Sequence, residues 1–184
     1  MTSAGTVEGH EHLRLFCALR LPDGILDGLE RWQREHFTGA GRPVPRGNLH
    51  ATLAFLGRRP ASELPAIAGA LRAAAAAAGE IVLSPNRYRE TRSVGMLVLE
   101  DETGEAARLA GKLFDGLERL GVYEREQRPW LPHVTVIRYR ERPRLRPPLP
   151  ELGSFGLSDA AVYMSSLRPT GAEYAVLEAV PLGG

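Results

Sequence analysis
The sequence holds a single cysteine, Cys17, in 184 residues. No internal disulfide is therefore possible. It has no apolar run approaching about 18 residues, which argues against a membrane-spanning helix. It has no excess of charge: 23 basic residues face 22 acidic ones, for a net charge of +1. No cationic field covers the whole surface, so any anion site has to be local. Lysine is almost missing, with Lys112 standing alone among the arginines. Arginine offers a planar fork that suits phosphate, although an arginine excess follows equally well from genome composition. Neither a P-loop nor a Gly-rich dinucleotide fingerprint occurs. No serine stands in a nucleophile turn. Residues 1–12 lack the basic and apolar regions of a secretory signal and read as a disordered tail, with His10 and His12 as solvated tail residues. What remains, 43% hydrophobic and 24% charged, is the composition of a globular protein. The expectation is a cytoplasmic protein with one domain over 13–184, or two small lobes sharing a core.

Periodicity supplies the elements. Residues 13–21 alternate, with Leu13, Leu15, Cys17 and Leu19 on one side, as in a strand. Pro22 opens a helix over 23–38, where its missing N–H does no harm. Ile25, Leu29, Trp32 and His36 recur there at helical spacing, which makes His36 the edge of a packed face. Residues 39–47 read as a loop and 48–56 as a strand closed by Gly57. Ser62 is the candidate N-cap of a helix to about residue 78, with Gly79 as its stop. Strands are expected over 81–83 and 94–100, separated by a polar stretch containing Arg87, Arg89 and Arg92. A second long amphipathic helix runs over 103–120 and a strand over 131–139. Residues 140–150 form a connector rich in proline and arginine. Strands over 155–167 and 173–180 close the chain.

The two halves repeat one order: strand, helix, loop, strand with a histidine. From strand start to histidine the count is 37 residues in the first half (13 to 50) and 39 in the second (94 to 133). Two such units pack as lobes related by approximate two-fold symmetry. The first histidine strand reads Asn48-Leu49-His50-Ala51-Thr52-Leu53-Ala54-Phe55. Alternation puts Leu49, Ala51, Leu53 and Phe55 on one face and His50 with Thr52 on the other. The second reads Pro132-His133-Val134-Thr135-Val136-Ile137-Arg138, with His133 and Thr135 sharing a face. A single His-x-Thr is more often a satisfied polar pair on a half-buried strand. Two copies, in corresponding places of a duplicated unit, point to one catalytic cleft.

A histidine pair can move protons near neutral pH, one neutral as base and one protonated as acid. Threonine hydroxyls can donate to an anionic oxygen while a histidine handles the proton. Four such groups around one point suit an in-line phosphoryl displacement. No metal or other cofactor is required: threonine is not a usual zinc ligand, and no third His or Cys stands at ligand spacing.

These motifs resemble the 2H phosphoesterases, and within them the RNA 2′,3′-cyclic phosphodiesterases once called 2′-5′ RNA ligases. The resemblance is carried by Leu15-Phe16-Cys17-Ala18-Leu19, by Asn48 to Gly57 and by Pro132 to Arg138. It is extended by the stretch Ser165 to Tyr174, and together the matches span residues 13–180. It implies an α+β, bilobal 2H-phosphoesterase-like fold: two pseudo-symmetric lobes of antiparallel sheet with outer helices around a central cleft. It implies hydrolysis of an RNA 2′,3′-cyclic phosphate end to a 2′-phosphomonoester. By the same resemblance His50 donates a proton to the leaving 3′ oxygen and His133 activates water. Thr52, Thr135 and Arg138 hold the phosphate. The expected partners are RNA ends or oligonucleotides carrying a 2′,3′-cyclic phosphate, met by a monomer with no membrane contact.

Strict alternation sets Arg138 on the face opposite His133 and Thr135, so it needs a bulge or a long reach to enter the cleft. Arg138, Arg140, Arg142, Arg144 and Arg146 recur at every second residue, as either a positive edge along an RNA backbone or a solvated connector kept from pairing by its prolines. Trp130 is either a base platform or a structural residue at the lobe edge. Two other readings stay open on sequence alone: an esterase of small cyclic nucleotides or 2′-5′ linked oligonucleotides, and a module that binds RNA ends or nucleotides without catalysis.

Overall fold
The computed structural model describes Gly9 and residues 11–183. Strand β1 (His12–Leu19) starts one residue earlier than alternation predicts. His12, expected in the tail, is therefore the first residue of the sheet, paired with Pro60. The rest of the expected tail, apart from Gly9 and Glu11, falls outside the described residues. Helix α1 (Asp23–His36) follows Pro22 and buries Ile25, Leu29, Trp32 and Gln33. The predicted loop contains a two-residue strand, β2 (Arg42–Pro43), and a single 3-10 turn over Arg46–Asn48. Strand β3 (Ala51–Pro60) begins three residues later than expected and runs past Gly57.

Helix α2 (Leu64–Ala76) carries the alanine run. Small side chains let it lie close on α3 (Glu105–Arg119): a Cβ added at Gly116 would stand 3.2 Å from the Ala70 Cβ. The Asp101 carboxylate caps α3 by accepting from the backbone of Gly104, Ala106 and Ala107, which satisfies amides that the helix itself leaves open. Between the two helices, β4 (Val82–Glu90) and β5 (Val94–Asp101) form a hairpin. The polar arginine stretch is thus strand through Glu90, because one face of this strand meets solvent. Strand β6 (His133–Arg138) precedes an irregular connector. Strands β7 (Phe155–Gly156), β8 (Asp159–Arg168) and β9 (Gly171–Pro181) complete the chain.

All the strands join in one antiparallel order, β7-β4-β5-β6-β3-β1-β8-β9, with β2 on the side of β6. The order divides into two half-sheets, β7-β4-β5-β6 and β3-β1-β8-β9. Between β6 and β3 a single residue pair, Ala51 with Val134, joins them. The predicted duplication is visible here: β1, α1 and β3 correspond to β5, α3 and β6. The helices interlock the halves. α1 leaves β1 but packs on β6, whereas α3 leaves β5 and reaches β3 as well. α2 covers β8 and β9. The main core, including Leu15, Leu19, Leu29, Leu71, Leu113 and Ile137, lies between these helices and one sheet face. Phe16, Ala18, Ala161 and Tyr163 form a separate buried cluster on the other face of the sheet. That face carries the site.

Candidate active site
Ala51 and Val134 are the middle residues of the two His-x-Thr motifs. Their antiparallel pairing puts the local two-fold axis between the motifs. By register, His50 falls opposite Thr135 and His133 opposite Thr52, at the separation of cross-strand neighbours. His50, Thr52, His133 and Thr135 all line one open cavity of about 430 Å³.

Arg138 lines the same cavity. Strict alternation expected it on the far face, and a β-bulge reverses that. In the pairing of β5 with β6, Met96 faces Thr135 and Gly95 faces Ile137, so Val136 is skipped. Val136 and Ile137 both turn into the core, and Arg138 returns to the side of His133. The first motif contains the same device. Ala18 faces Thr52 and Cys17 faces Ala54, so Leu53 is skipped. Leu53 and Ala54 are both buried, and Phe55, expected in the core, stands 51% exposed beside the cavity. The extra residue lies three positions after the histidine in each motif. Phe55 and Arg138, each five positions after a histidine, are therefore equivalents under the two-fold. One wall of the cleft is aromatic where the other is cationic.

The Val136 bulge is held from behind. Gln33, buried in α1, donates through Nε2 to the carbonyls of Val136 (2.8 Å) and Val44 (2.9 Å). The Val44 amide donates to the same Val136 carbonyl at 3.0 Å. Gly95 leaves room for the bulge: a Cβ there would stand 2.6 Å from the Ile137 Cγ2 and against the Tyr88 hydroxyl. In the first half, Cys17 and Ala54 occupy the corresponding places, so a small residue on one strand offsets a larger one on its partner in both halves.

The two histidines differ in surroundings. His133 Nδ1 donates to the Leu131 carbonyl at 2.8 Å, because a carbonyl only accepts. This fixes the ring and directs Nε2 as the free nitrogen. His50 Nε2 lies 3.0 Å from the Thr52 hydroxyl, while its Nδ1 is buried without a hydrogen-bond partner. His50 also stacks on Phe16, centroid to centroid 4.9 Å, with Tyr174 edge-on at 5.5 Å. Burial pushes its pKa down to about 4, opposed by the nearby Asn48 carbonyl and reinforced by the charges of His133 and Arg138. The Asn48 carbonyl is the counterpart of the Leu131 carbonyl, two residues before the histidine, but it stops short of hydrogen-bond geometry with Nδ1.

Neighbouring side chains fix the frame. Asn48 donates to the Ala172 carbonyl at 2.8 Å, tying the turn before His50 to β9. Arg46 reaches Asp23, Asp27 and Glu30 of α1. Trp130 Nε1 donates to the Thr52 carbonyl at 3.0 Å, so this tryptophan fastens the two half-sheets beside the site, and it does not line the cavity. Arg140, Arg142, Arg144 and Arg146 do not line it either. The largely buried Glu90 carboxylate organises that connector, accepting from Arg142 Nε and from the amides of Arg144 and Leu145. Arg14 and Arg42 line the cavity but carried no sequence signal. Arg42 lies in the short β2, and the pairing of Arg42 with Arg138 brings it there.

Fold and site define a phosphoesterase of the two-histidine class. Residues 19–92 match the family described as LigT like Phosphoesterase. The chain is 30% identical over 172 residues to the RNA 2′,3′-cyclic phosphodiesterase of Escherichia coli K12, covering 91% of this chain and 96% of that one. The RNA 2′,3′-cyclic phosphodiesterase of Thermus thermophilus is 32% identical, with 94% and 91% covered. The crystal structure of E. coli LigT complexed with 3′-AMP superposes with a TM-score of 0.81 at 27% identity, over 95% of this chain and 100% of that one. The chain belongs to the LigT-like phosphoesterase family.

Proposed function
We propose that the protein hydrolyses RNA 2′,3′-cyclic phosphate ends to 2′-phosphomonoesters by acid/base catalysis between His50 and His133, without a metal. The observation that carries this reading is the Ala51–Val134 pair, which turns both His-x-Thr motifs onto one cavity. The activity named for the E. coli and T. thermophilus relatives supports it.

Thr52 and Thr135 donate to the non-bridging phosphate oxygens, and the Arg138 guanidinium neutralises their charge. His133, with Nδ1 held by Leu131, presents the Nε2 lone pair to a water in line with the 3′ oxygen. Water attacks phosphorus, its proton passes to His133, the bond to the 3′ oxygen breaks, and His50 supplies the proton to that oxygen. The donor role needs protonated His50, which burial by itself holds neutral. A bound phosphate anion brings the negative charge that reverses this. All five groups come from one chain, so a monomer suffices. A cytoplasmic place fits an RNA substrate.

The test is incubation with a cyclic-phosphate-ended RNA in EDTA, with the product end identified by phosphorus NMR. The expected product carries a 2′-phosphate. A 3′-phosphate, or no turnover in EDTA, contradicts the reading.

A further inference from the structure
Beyond Phe55 the cleft face continues along β1. There the register sets Arg14 directly opposite Arg58. Like charges in directly opposed positions of an antiparallel pair are destabilising, and among the described residues neither side chain has an acidic partner. Both line a second depression of about 370 Å³, together with His12, Ser165, Ser166 and Leu167. Arg14, Ser165 and Leu167 also line the catalytic cavity, so the two spaces adjoin. The Arg14 guanidinium lies over the Phe55 ring, 5.1 Å from its centroid.

Two bulges create this arrangement. The first, at Leu53, brings Phe55 to the cleft face. The second skips Leu56 between Leu15 and Phe16, with Gly57 in the left-handed region at φ 70°. That is the backbone a Gly-containing bulge requires. Together they return Arg58 to the face of His50. The Arg14–Arg58 pair lies two residues along β1 from Phe16 and four from Ala18, the partner of Thr52. At the rise of a strand this is roughly 7 Å and roughly 14 Å. Cationic groups spaced along a groove, with an exposed aromatic between them, are the pattern of a single-strand binding track.

We propose that the Arg14–Arg58 depression is a second phosphate site, taking the phosphodiester that precedes the cyclic end. The inference rests on the cyclic-end reading above and adds the substrate class. A cyclic phosphate is terminal, so every other phosphate of the chain lies on its 5′ side, and a second site can only hold one of these. The enzyme then prefers an RNA chain to a mononucleoside cyclic phosphate.

Arg58 tests this, because it lines the second depression and not the catalytic cavity. kcat/KM is measured for adenosine 2′,3′-cyclic phosphate and for a tetranucleotide ending in a cyclic phosphate. Arg58→Gln is expected to lose about tenfold on the tetranucleotide, the scale of one charge-assisted hydrogen bond, and nothing on the mononucleotide. Equal losses on both, or no loss on the tetranucleotide, overturn the proposal. Binding is read separately, by fluorescence anisotropy with a labelled tetranucleotide ending in a 2′-phosphate. Here Arg58→Gln weakens binding and flattens the salt dependence by about 0.7 in log–log slope. An unchanged Kd and slope overturn the second site, whether or not any substrate is hydrolysed. If the mononucleotide and the tetranucleotide both resist the wild-type enzyme, the cyclic-end reading fails and the anisotropy arm still decides the site. Removing one of two opposed cations leaves Tm unchanged or higher, so a lost fold is detected directly.

Discussion

His50, immediately before β3, and His133, the first residue of β6, occupy matched positions, yet the protein treats them differently. His133 has its Nδ1 proton on the Leu131 carbonyl, whereas His50 has a buried Nδ1 with no partner and is held neutral by burial. Two outcomes follow. The His50 pKa, read by NMR, is expected near 4 in the free protein and to rise once 2′-AMP occupies the cleft. A value that stays near 4 with phosphate bound moves the donor role to His133. The folded state also binds fewer protons than the unfolded chain between pH 6.5 and about 4. Stability is therefore full above the unfolded value and declines as pH falls through that window, by on the order of 3 kcal/mol. His50→Gln removes this part of the slope; an identical pH profile in urea denaturation contradicts it. At this scale the sequence was legible, since a histidine and a threonine two apart on a strand share a face whatever the rest of the fold does. Arg14 and Arg42 were not, because only cross-strand pairing brings them to the site.

Among the elements, the bulges decide what strict alternation cannot. Alternation holds along β1, where Leu13, Leu15, Cys17 and Leu19 enter the core as expected. It fails after Thr52 and after Thr135, where one extra residue shifts the face of everything beyond. That moved Phe55 out of the core and Arg138 into the cleft, and a pattern of apolar residues such as Leu53-Ala54 or Val136-Ile137 carries no mark of it. The support for the second bulge is a buried glutamine on α1, which reads in the sequence as an ordinary polar position of an amphipathic helix. Gln33→Leu deprives the Val44 carbonyl of its donor and the Val136 carbonyl of one of two. We expect a loss of about 1–3 kcal/mol in urea denaturation. Steady-state kinetics should show a further fall in kcat/KM that disappears when Arg138 is already alanine. An unchanged denaturation midpoint contradicts the role of Gln33, and additive kinetic losses place its effect elsewhere than Arg138.

As a whole, the molecule is two half-sheets meeting at one residue pair, with α1 packed on the opposite half and α3 touching both. The duplication was legible as a repeated order of elements and a near-equal spacing. The single continuous sheet was not, because nothing in the chain marks Ala51 and Val134 as partners. Although the net charge is +1, arginine is concentrated at this cleft. Arg14, Arg42 and Arg138 converge on the cleft, while Arg46, Arg59 and Arg125 are spent on carboxylates elsewhere. The junction also brings the two motifs to one cavity. The most direct measurement is the rate of hydrolysis of a cyclic-phosphate-ended RNA, in EDTA, by His50→Ala, His133→Ala and the double variant. Two residues that act as a unit give single losses of at least about 10²-fold each and a double loss far below their product. Wild-type activity in either single variant would contradict the two-histidine mechanism.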